Sequence, residues 1–229
     1  MSRIRSADRL DQLLTAAAAV FTARGYRRTQ MADIANAMGV APGTLYLYVE
    51  SKEALFHLLV QRGWGDDTTA VALPVRTPEA GATLDLLRQR LTERGKLPAL
   101  DAALRRRRVA DARAELEGIV REYYAMVARN HAGIRLLERS ALDWPELAAL
   151  FYKEARHEFL ERLSQYLQRR SKHKLLRPIA HPAAAARLIT ETVAWFAMHR
   201  HGDVDAAAIS DAAAQQTVVE ALVNAFAPR

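Results

Sequence analysis

Residues 29–55 read TQMADIANAMGVAPGTLYLYVESKEAL, and this stretch decides how the chain folds. Its first part carries apolar residues at the i, i+3, i+4, i+7 spacing of an amphipathic helix, namely Met31, Ile34, Ala35 and Met38. We therefore predict a short helix over 30–38, with the Thr29 hydroxyl as its N-terminal cap. Gly39 is expected to end this helix, because glycine readily takes the left-handed conformation of a tight helix exit.

A second short helix is predicted over 42–49, directly after this turn. Pro42 suits a first helical turn, because it has no N–H to lose and its φ is already close to helical. Ser51 is then a good cap for a third helix that begins with Lys52. Two short helices around a glycine-containing turn are typical of a helix-turn-helix, whose second helix can enter the major groove of DNA.

The second helix has an inward side, with Leu45 and Val49, and an outward side with a small residue, a hydroxyl, an apolar side chain and a phenol. The outward residues are Gly43, Thr44, Leu47 and Tyr48. Such a face can approach base edges closely, while Lys52 and the free N–H groups after Ser51 can hold a phosphate. The alternative is that these are two ordinary short helices of an all-helical domain, with their aromatic residues in the core.

Residues 10–60 resemble the N-terminal domain of the TetR-type transcriptional regulators. The resemblance extends over about fifty residues and rests on a composite pattern: Phe21, Gly25, Thr29, Ile34-Ala35, Gly39-Val40, Gly43-Thr44-Leu45-Tyr46, Tyr48 and Ser51-Lys52-Glu53-Ala54-Leu55. It implies a DNA-binding regulator built on a helix-turn-helix.

The resemblance also implies roles for individual residues. Positions matching Thr29, Thr44, Tyr48 and Lys52 hold backbone phosphates, and those matching Gly43, Thr44, Tyr46 and Leu47 approach bases. The predicted DNA-binding set also includes Gln30 and Pro42, at the starts of the two helices.

Three residues depart from the family pattern and bear on specificity. Ala41 replaces a serine cap, Ala32 a base-reading polar residue and Val49 a phenylalanine. With Ala32 and Leu47 both apolar, we expect few side-chain hydrogen bonds to bases. Contacts to thymine methyl groups and the shape of the DNA would then carry more of the specificity.

Composition is that of a helix-rich globular protein with a basic balance. The 229 residues are 50% hydrophobic and 26% charged, and 33 basic against 26 acidic side chains give a net charge of +7. This charge mildly favours a polyanionic partner. Arg24, Arg27 and Arg28 can add phosphate contacts or simply be solvated. Arg3 and Arg5 can belong to a flexible arm that reaches DNA, and the alternative is that they lie in a disordered terminus.

Several classes of protein are disfavoured by the sequence. The chain has no cysteine, which rules out disulfides and thiolate metal sites and fits a cytoplasmic protein. We expect no membrane span, because there is no apolar run of about 18 residues, and no signal peptide. HExxH, GxSxG and glycine-rich phosphate-loop motifs are lacking, so we predict neither an enzyme nor a cofactor. His199-x-His201 can bind a metal but lacks an evident third ligand, so no metal site is predicted.

The predicted fold is all-α, with a three-helix DNA-binding domain over 1–50 and a larger helical domain for ligand binding and dimerisation over 51–229. The first domain begins with a helix over 7–24. From residue 51 we predict a helix through 62, with continuation beyond Trp64 as an alternative, and further helices near 78–94 and 98–109 and over 112–131, 133–142, 145–170, 182–201 and 205–227. Asp143 and Glu146 are interpreted as a capping box, Arg105–Arg108 as an exposed helical face, and Gly63 and Gly65 as a weak point near Trp64.

By resemblance, the second domain dimerises and holds a small-molecule inducer. The last two helices would pair with their twins to form a homodimer, and the alanine-rich stretches 183–186 and 206–214 would allow close approach. A dimer with two recognition helices about 34–36 Å apart can read a palindromic operator. Apolar residues with polar tips are the candidate inducer contacts: Tyr123, Met126, His131, Phe151, Arg156, His157 and Trp195.

The function that follows is a ligand-responsive repressor that is released from its operator by a small molecule. The alternative is a helical adaptor or ligand-binding protein that has kept the fold but lost sequence-specific DNA binding.

Overall fold

The computed structural model describes residues 2–63, 71–206 and 208–228, which form an all-helical fold. In these ranges there is no β-strand, although Val49 and Val75 form an isolated parallel bridge. The α-helices, in chain order, are α1 (Ser2–Arg24), α2 (Met31–Met38), α3 (Pro42–Leu45), α4 (Lys52–Gly63), α5 (Ala82–Arg94), α6 (Pro98–Arg105), α7 (Ala112–Ala141), α8 (Pro145–Ala148), α9 (His157–Lys172), α10 (Pro182–Ala197) and α11 (Asp211–Phe226). None of the described helices is long and apolar enough to cross a membrane.

The chain divides into two compact units. Unit 1 comprises Met1–Glu93 and Ala132–Tyr152, and unit 2 comprises Arg94–His131 and Lys153–Arg229. Helix α4, nearly all of α5 and the end of α7 belong to unit 1 together with the first three helices, and the domain boundary at residue 50 stays a prediction. Residues 64–70, which include the predicted weak point at Trp64 and Gly65, lie outside the described residues.

The core of unit 1 is built on the apolar stripe of α1. The helix begins at Ser2 rather than at residue 7, so the predicted N-terminal arm is helical. The buried side of α1 is as predicted from its spacing and consists of Leu10, Leu13, Leu14, Ala17 and Phe21. An aromatic cluster lies at the C-terminal end of α1, with neighbouring ring centroids 4.8–5.9 Å apart; it consists of Phe21, Tyr26, Phe56 and Trp144.

The predicted turn between the two short helices is present, but the cap of α2 is not the predicted one. Gly39 has φ +68° and ends α2, as expected. The N-cap is Gln30, whose backbone N–H donates to Asp33 Oδ2 at 2.9 Å. Thr29 cannot be the cap, because its hydroxyl is buried and donates to the carbonyl of Gly25 at 2.7 Å.

Helix α3 is shorter than predicted and ends at Leu45 instead of residue 49. Residues 46–48 form turns, and the backbone then pairs with a distant segment. Val75 N–H donates to the carbonyl of Tyr48 at 2.8 Å, and the carbonyl of Val75 accepts from the N–H of Glu50 at 2.9 Å. These groups are therefore not available to continue a helix, which gives the physical reason for the early end.

Helix α7 is a single helix of 30 residues, so the predicted break near residue 132 is wrong. Gly133 lowers helix propensity by about 1 kcal/mol relative to alanine. That cost is small beside the burial of Leu136, Leu137 and Ala141 in the core of unit 1, which holds the helix through the glycine.

The helix predicted over 145–170 is present but is not regular. Trp144 is its N-cap, so the predicted capping box with Asp143 does not form. Between α8 and α9, residues Ala149–Arg156 form a π-helix, an insertion that often occurs at functional sites. The predicted inner positions Leu147, Phe151, Leu163 and Tyr166 are buried.

The last two helices are shorter than predicted. Helix α10 ends at Ala197 and is followed by a 3₁₀ turn over His199–Gly202. Helix α11 begins at Asp211 instead of residue 205, because Ser210 caps it by accepting from the N–H of Ala213 at 3.2 Å. Buried Arg200 donates to the carbonyl of Ile209 at 2.8 Å and so fixes the backbone just before this cap.

A buried arginine organises part of unit 2. Arg170 is 1% exposed, pairs with Glu115 at 2.7 Å and donates to the carbonyl of Ala103 at 2.7 Å. Removing one partner of a buried pair leaves an uncompensated charge, so this contact fixes α6, α7 and α9 relative to one another. The arginine run 105–108 is exposed, but only Arg105 is helical, as the last residue of α6; residues 106–108 lie in the loop that follows and not on the predicted helical face.

Candidate DNA-binding surface

Helix α3 and the turn after it present the predicted outward surface. Leu45 and Val49 have no exposed surface, which confirms the predicted inward side. Leu47 is 66% exposed and Tyr46 is 48% exposed. Large apolar side chains at such exposure are suited to contact with a partner, here with base edges or thymine methyl groups.

Gly43 and Pro42 are also exposed and form the first turn of α3. A Cβ added at Gly43 would meet no atom within 4 Å, and its φ lies outside the left-handed region. The fold itself therefore does not require glycine at this position. A surface that must come very close to another molecule would require it.

Thr44 and Tyr48 are half-buried, and Tyr48 packs partly on the core of unit 1. Gln30 is exposed, whereas Thr29 is fully buried. In this structure a phosphate can therefore reach Gln30 but not the side chain of Thr29.

Lys52 lies at the start of α4 and fixes the loop between α1 and α2. Its Nζ donates to the carbonyl of Thr29 at 3.0 Å and to that of Arg27 at 3.4 Å. It also lies 4.7 Å from the centroid of the Tyr26 ring, within the range of a cation–π interaction. The ammonium group has three donors, so one remains for a phosphate.

Tyr26 and Glu53 connect this lysine to the aromatic cluster. Tyr26 Oη donates to Glu53 Oε1 at 2.8 Å, and burial together with this hydrogen bond raises the pKa of Tyr26 far above its usual range. Burial alone would raise the pKa of Glu53, but hydrogen bonds from its own N–H, Tyr26 and Ser51 lower it. Glu53 is therefore a carboxylate near neutral pH and compensates the charge of Lys52.

The start of α2 carries a second charge pair. The backbone N–H of Gln30 is the main cause that lowers the pKa of Asp33, and Arg24, 2.5 Å away, lowers it further. A carboxylate in the first helical turn stabilises the positive end of the helix. It also makes Arg24 a less available phosphate ligand than its position in the sequence suggests.

Two further arginines in the loop between α1 and α2 have acidic partners that the sequence analysis missed. Arg28 Nε lies 3.2 Å from Asp143 Oδ2, and Arg27 Nη2 lies 3.6 Å from Glu146 Oε2. Asp143 lies between α7 and α8 and Glu146 lies in α8, so both are more than 110 positions further along the chain. Local spacing carries no signal for such a contact.

The seven candidate inducer contacts are divided between the units. Phe151 belongs to the core of unit 1, whereas the other six lie in unit 2. Tyr123 is buried and stacks on Phe159 with ring centroids 4.5 Å apart, while Met126 is half-buried on the same helix. The ring of His131 lies against that of His201 in a tilted arrangement, with centroids 5.2 Å apart.

The remaining three candidates lie on or near the surface of unit 2. Arg156, in the π-helix, forms an ion pair with Glu191 of α10. His157 is exposed, and Trp195 is 38% exposed. Among the described residues no group of three or more metal-ligating side chains occurs, so His199-x-His201 gains no third ligand there.

Helices α2 and α3, joined by the turn at Gly39 and packed with α1, form a helix-turn-helix whose α3 is exposed, which is the arrangement of a class of DNA-binding proteins. Comparison with known proteins agrees. Residues 13–59 match the family described as "Bacterial regulatory proteins, tetR family", and residues 114–229, half of the chain, match "AefR-like transcriptional repressor, C-terminal domain". The chain belongs to the TetR family of DNA-binding transcriptional regulators, which are transcription factors and not enzymes.

Individual relatives show the same fold. The chain is 42% identical over 59 residues to the HTH-type transcriptional repressor KstR2 of Rhodococcus jostii, a match that spans 26% of this chain and 28% of that protein. The structure of the ketosteroid regulator KstR2 of Mycobacterium tuberculosis is 20% identical, covers 96% of both chains and has a TM-score of 0.54. AibR in complex with isovaleryl coenzyme A and operator DNA is 19% identical, covers 95% of this chain and 97% of AibR, and has a TM-score of 0.51.

Proposed function

We propose that the chain is a ligand-responsive repressor that binds a palindromic operator as a homodimer and is released by a small molecule. The observation that carries the proposal is the exposed surface of α3 and of the turn after it, where Tyr46 and Leu47 are exposed close in sequence to exposed Gly43. In a core helix of an adaptor these residues would be expected to be covered.

The DNA contacts in this proposal form two groups. Gly43, Thr44, Tyr46 and Leu47 approach the bases, while Gln30, Pro42, Tyr48 and Lys52 lie along the phosphates. Thr29 has an indirect role, since its buried side chain holds the loop whose carbonyls Lys52 contacts. The phosphate contacts supply affinity for any sequence, and the base contacts select the operator.

The homodimer in this proposal uses the exposed faces of α10 and α11. Leu188 is 56% exposed and lies two helical turns from Trp195 on α10, so both fall on one face of the helix. Helix α11 exposes small residues at helical spacing: Ala213, Thr217, Ala221 and Ala225. Large apolar residues beside a small-residue surface permit close packing against a second copy of the pair.

The effector in this proposal contacts Tyr123, Met126 and His131, which project from α7, with Arg156, His157 and Trp195 as further candidates in unit 2 and Phe151 in unit 1. Arg156 would have to exchange Glu191 for an anionic effector. Coenzyme A thioesters and steroids are reasonable first compounds for a screen, because AibR and KstR2 share the fold. An effector releases DNA if its affinity differs between the two conformers by a few kcal/mol.

The test is selection of DNA sites by the purified full chain at about 150 mM salt, since affinities depend steeply on salt. We expect enrichment of a palindrome with half-sites separated by about one helical turn. Sequence-blind, salt-sensitive binding, or no binding, would refute the proposal and favour the adaptor. Analytical ultracentrifugation of the same sample tests the dimer independently of DNA.

A further inference from the structure

Arg28 lies at the edge of the proposed DNA-binding surface, between two residues whose backbone Lys52 holds. Lys52 Nζ donates to the carbonyls of Arg27 and Thr29, the residues on either side of Arg28. Arg28 is also two residues before Gln30, the exposed N-cap of α2 and a proposed phosphate contact. Its side chain is 63% exposed, so its guanidinium is accessible to a phosphate.

The guanidinium of Arg28 is nevertheless held on one side by an acidic residue. Asp143 Oδ2 lies 3.2 Å from Nε, and the Asp143 side chain is only 16% exposed. Within the described part of the chain, neither carboxylate oxygen of Asp143 has a hydrogen-bond partner. A carboxylate so placed depends on the charge of Arg28 for its compensation, which makes the contact persistent.

The geometry leaves the terminal groups of Arg28 available. The ion pair is formed through Nε, and a guanidinium carries four further N–H donors on its two terminal nitrogens. Two of these can form the bidentate contact that arginine makes with phosphate. The acidic residue therefore holds one side of the guanidinium, while the 63% exposure of the Arg28 side chain leaves the group accessible to a phosphate.

The backbone around both residues is fixed as well. Arg139 Nε donates to the carbonyl of Ala23 at 2.9 Å, which ties the end of α7 to the end of α1. Gly25 has φ +87°, and a Cβ there would lie 3.1 Å from the carbonyl oxygen of Arg139. This close packing places Asp143 beside the loop that carries Arg28.

We propose that Arg28 is a DNA phosphate-contact residue and that Asp143 is its positioning residue. The inference rests on the proposed function, because it assumes an operator complex. It decides between the two roles that the sequence leaves open for Arg28 and assigns the orientation of its side chain to a residue of the C-terminal part of the sequence. Asp143 itself touches no DNA.

The test measures operator affinity against salt concentration for wild type, Arg28→Ala, Asp143→Asn, the double variant and Glu146→Gln. Loss of one phosphate contact per protomer lowers the slope of log K against log salt by about 1.8 per dimer. Each phosphate contact contributes a factor of roughly three in affinity, and the dimer makes two of them, so Arg28→Ala should weaken binding about tenfold at all sequences. Asp143→Asn should also weaken binding at all sequences, by no more than the loss of affinity seen with Arg28→Ala.

Glu146→Gln is the matched control for Asp143→Asn. Like Asp143→Asn, it removes one negative charge from an acidic residue that pairs with the loop between α1 and α2. Glu146 and Arg27, however, are both more than half exposed and lie 3.6 Å apart. A pair of this kind contributes little, so affinity should stay within about twofold of wild type. Thermal unfolding of each variant reports any loss of folding separately from the salt slope.

The double variant should bind no more weakly than Arg28→Ala alone, because Asp143 acts through Arg28. Additive losses, an unchanged salt slope in Arg28→Ala, or tighter binding by Asp143→Asn than by the control would each overturn the inference. Tighter binding would mean that Asp143 competes with DNA for the arginine. If wild type binds no operator, the proposed function fails too, whereas operator binding with inert variants refutes only this inference.

Discussion

Gly43→Ala is expected to stabilise the free protein and to weaken operator binding, two effects of opposite sign. The added Cβ would have no neighbour within 4 Å, and the φ of Gly43 is not in the left-handed region. Alanine at such a position stabilises a fold by about 0.4–1 kcal/mol, mainly by restricting the unfolded chain. A loss of binding therefore cannot come from a strained fold.

The magnitude of the binding loss follows from close approach to DNA. A methyl group forced into a packed contact costs about 1–3 kcal/mol. At the lower value a dimer loses about 2 kcal/mol, which is roughly 30-fold in the dissociation constant. Fluorescence anisotropy with the selected operator at fixed salt measures this loss, and urea unfolding measures the stability.

Gly118→Ala is the control for this prediction. Gly118 is an exposed residue within α7 whose added Cβ also meets no atom within 4 Å. The substitution should stabilise the helix by about 1 kcal/mol and leave operator affinity unchanged. If Gly43→Ala also leaves affinity unchanged while raising stability, the close approach of α3 to DNA is refuted.

Three further outcomes are expected. Leu188→Glu places a charge on the same face of α10 as Trp195, in the proposed dimer interface, so ultracentrifugation should show monomers and operator affinity should fall at least about 100-fold; a dimer that persists would contradict this interface. Tyr26→Phe should cost about 1–2 kcal/mol in chemical unfolding, because it removes the hydrogen bond to Glu53. That hydrogen bond helps lower the pKa of Glu53. The loss in the free energy of unfolding should therefore be largest at pH values above the usual pKa range of glutamate, and it should shrink as the pH falls through the lowered pKa of Glu53. A loss that does not depend on pH would refute the hydrogen bond between Tyr26 and Glu53 as its cause. Leu47→Ala should reduce the preference for thymine at one operator position without changing the salt slope; an altered slope would place Leu47 outside the base-reading set.

Local patterns in the sequence predicted local structure well. The spacing of Ile34 and Ala35 predicted α2 and its buried side, and Gly39 predicted its end, because these features depend on neighbours within one turn. Leu45 and Val49 likewise predicted the inward side of the segment 42–49. The all-helical fold followed from the same kind of local signal.

The errors have a common physical origin in contacts between distant residues. The end of α3 is set by pairing with Val75, and the continuity of α7 through Gly133 is set by burial of its last turns in unit 1. Asp143 was interpreted as a helix cap because Glu146 follows at the right spacing, yet its partner is Arg28. Tertiary contacts override local preference at each of these places.

The segment 132–152 is grouped differently by sequence similarity and by packing. It lies within the stretch that matches the C-terminal repressor domain, but it packs with the helix-turn-helix in unit 1. Two of its residues contact the region between α1 and α2: Arg139 donates to the carbonyl of Ala23, and Asp143 pairs with Arg28. If this positioning of Arg28 supports operator binding, Asp143→Asn should weaken the affinity for operator, although the sequence separates the two residues by more than 110 positions.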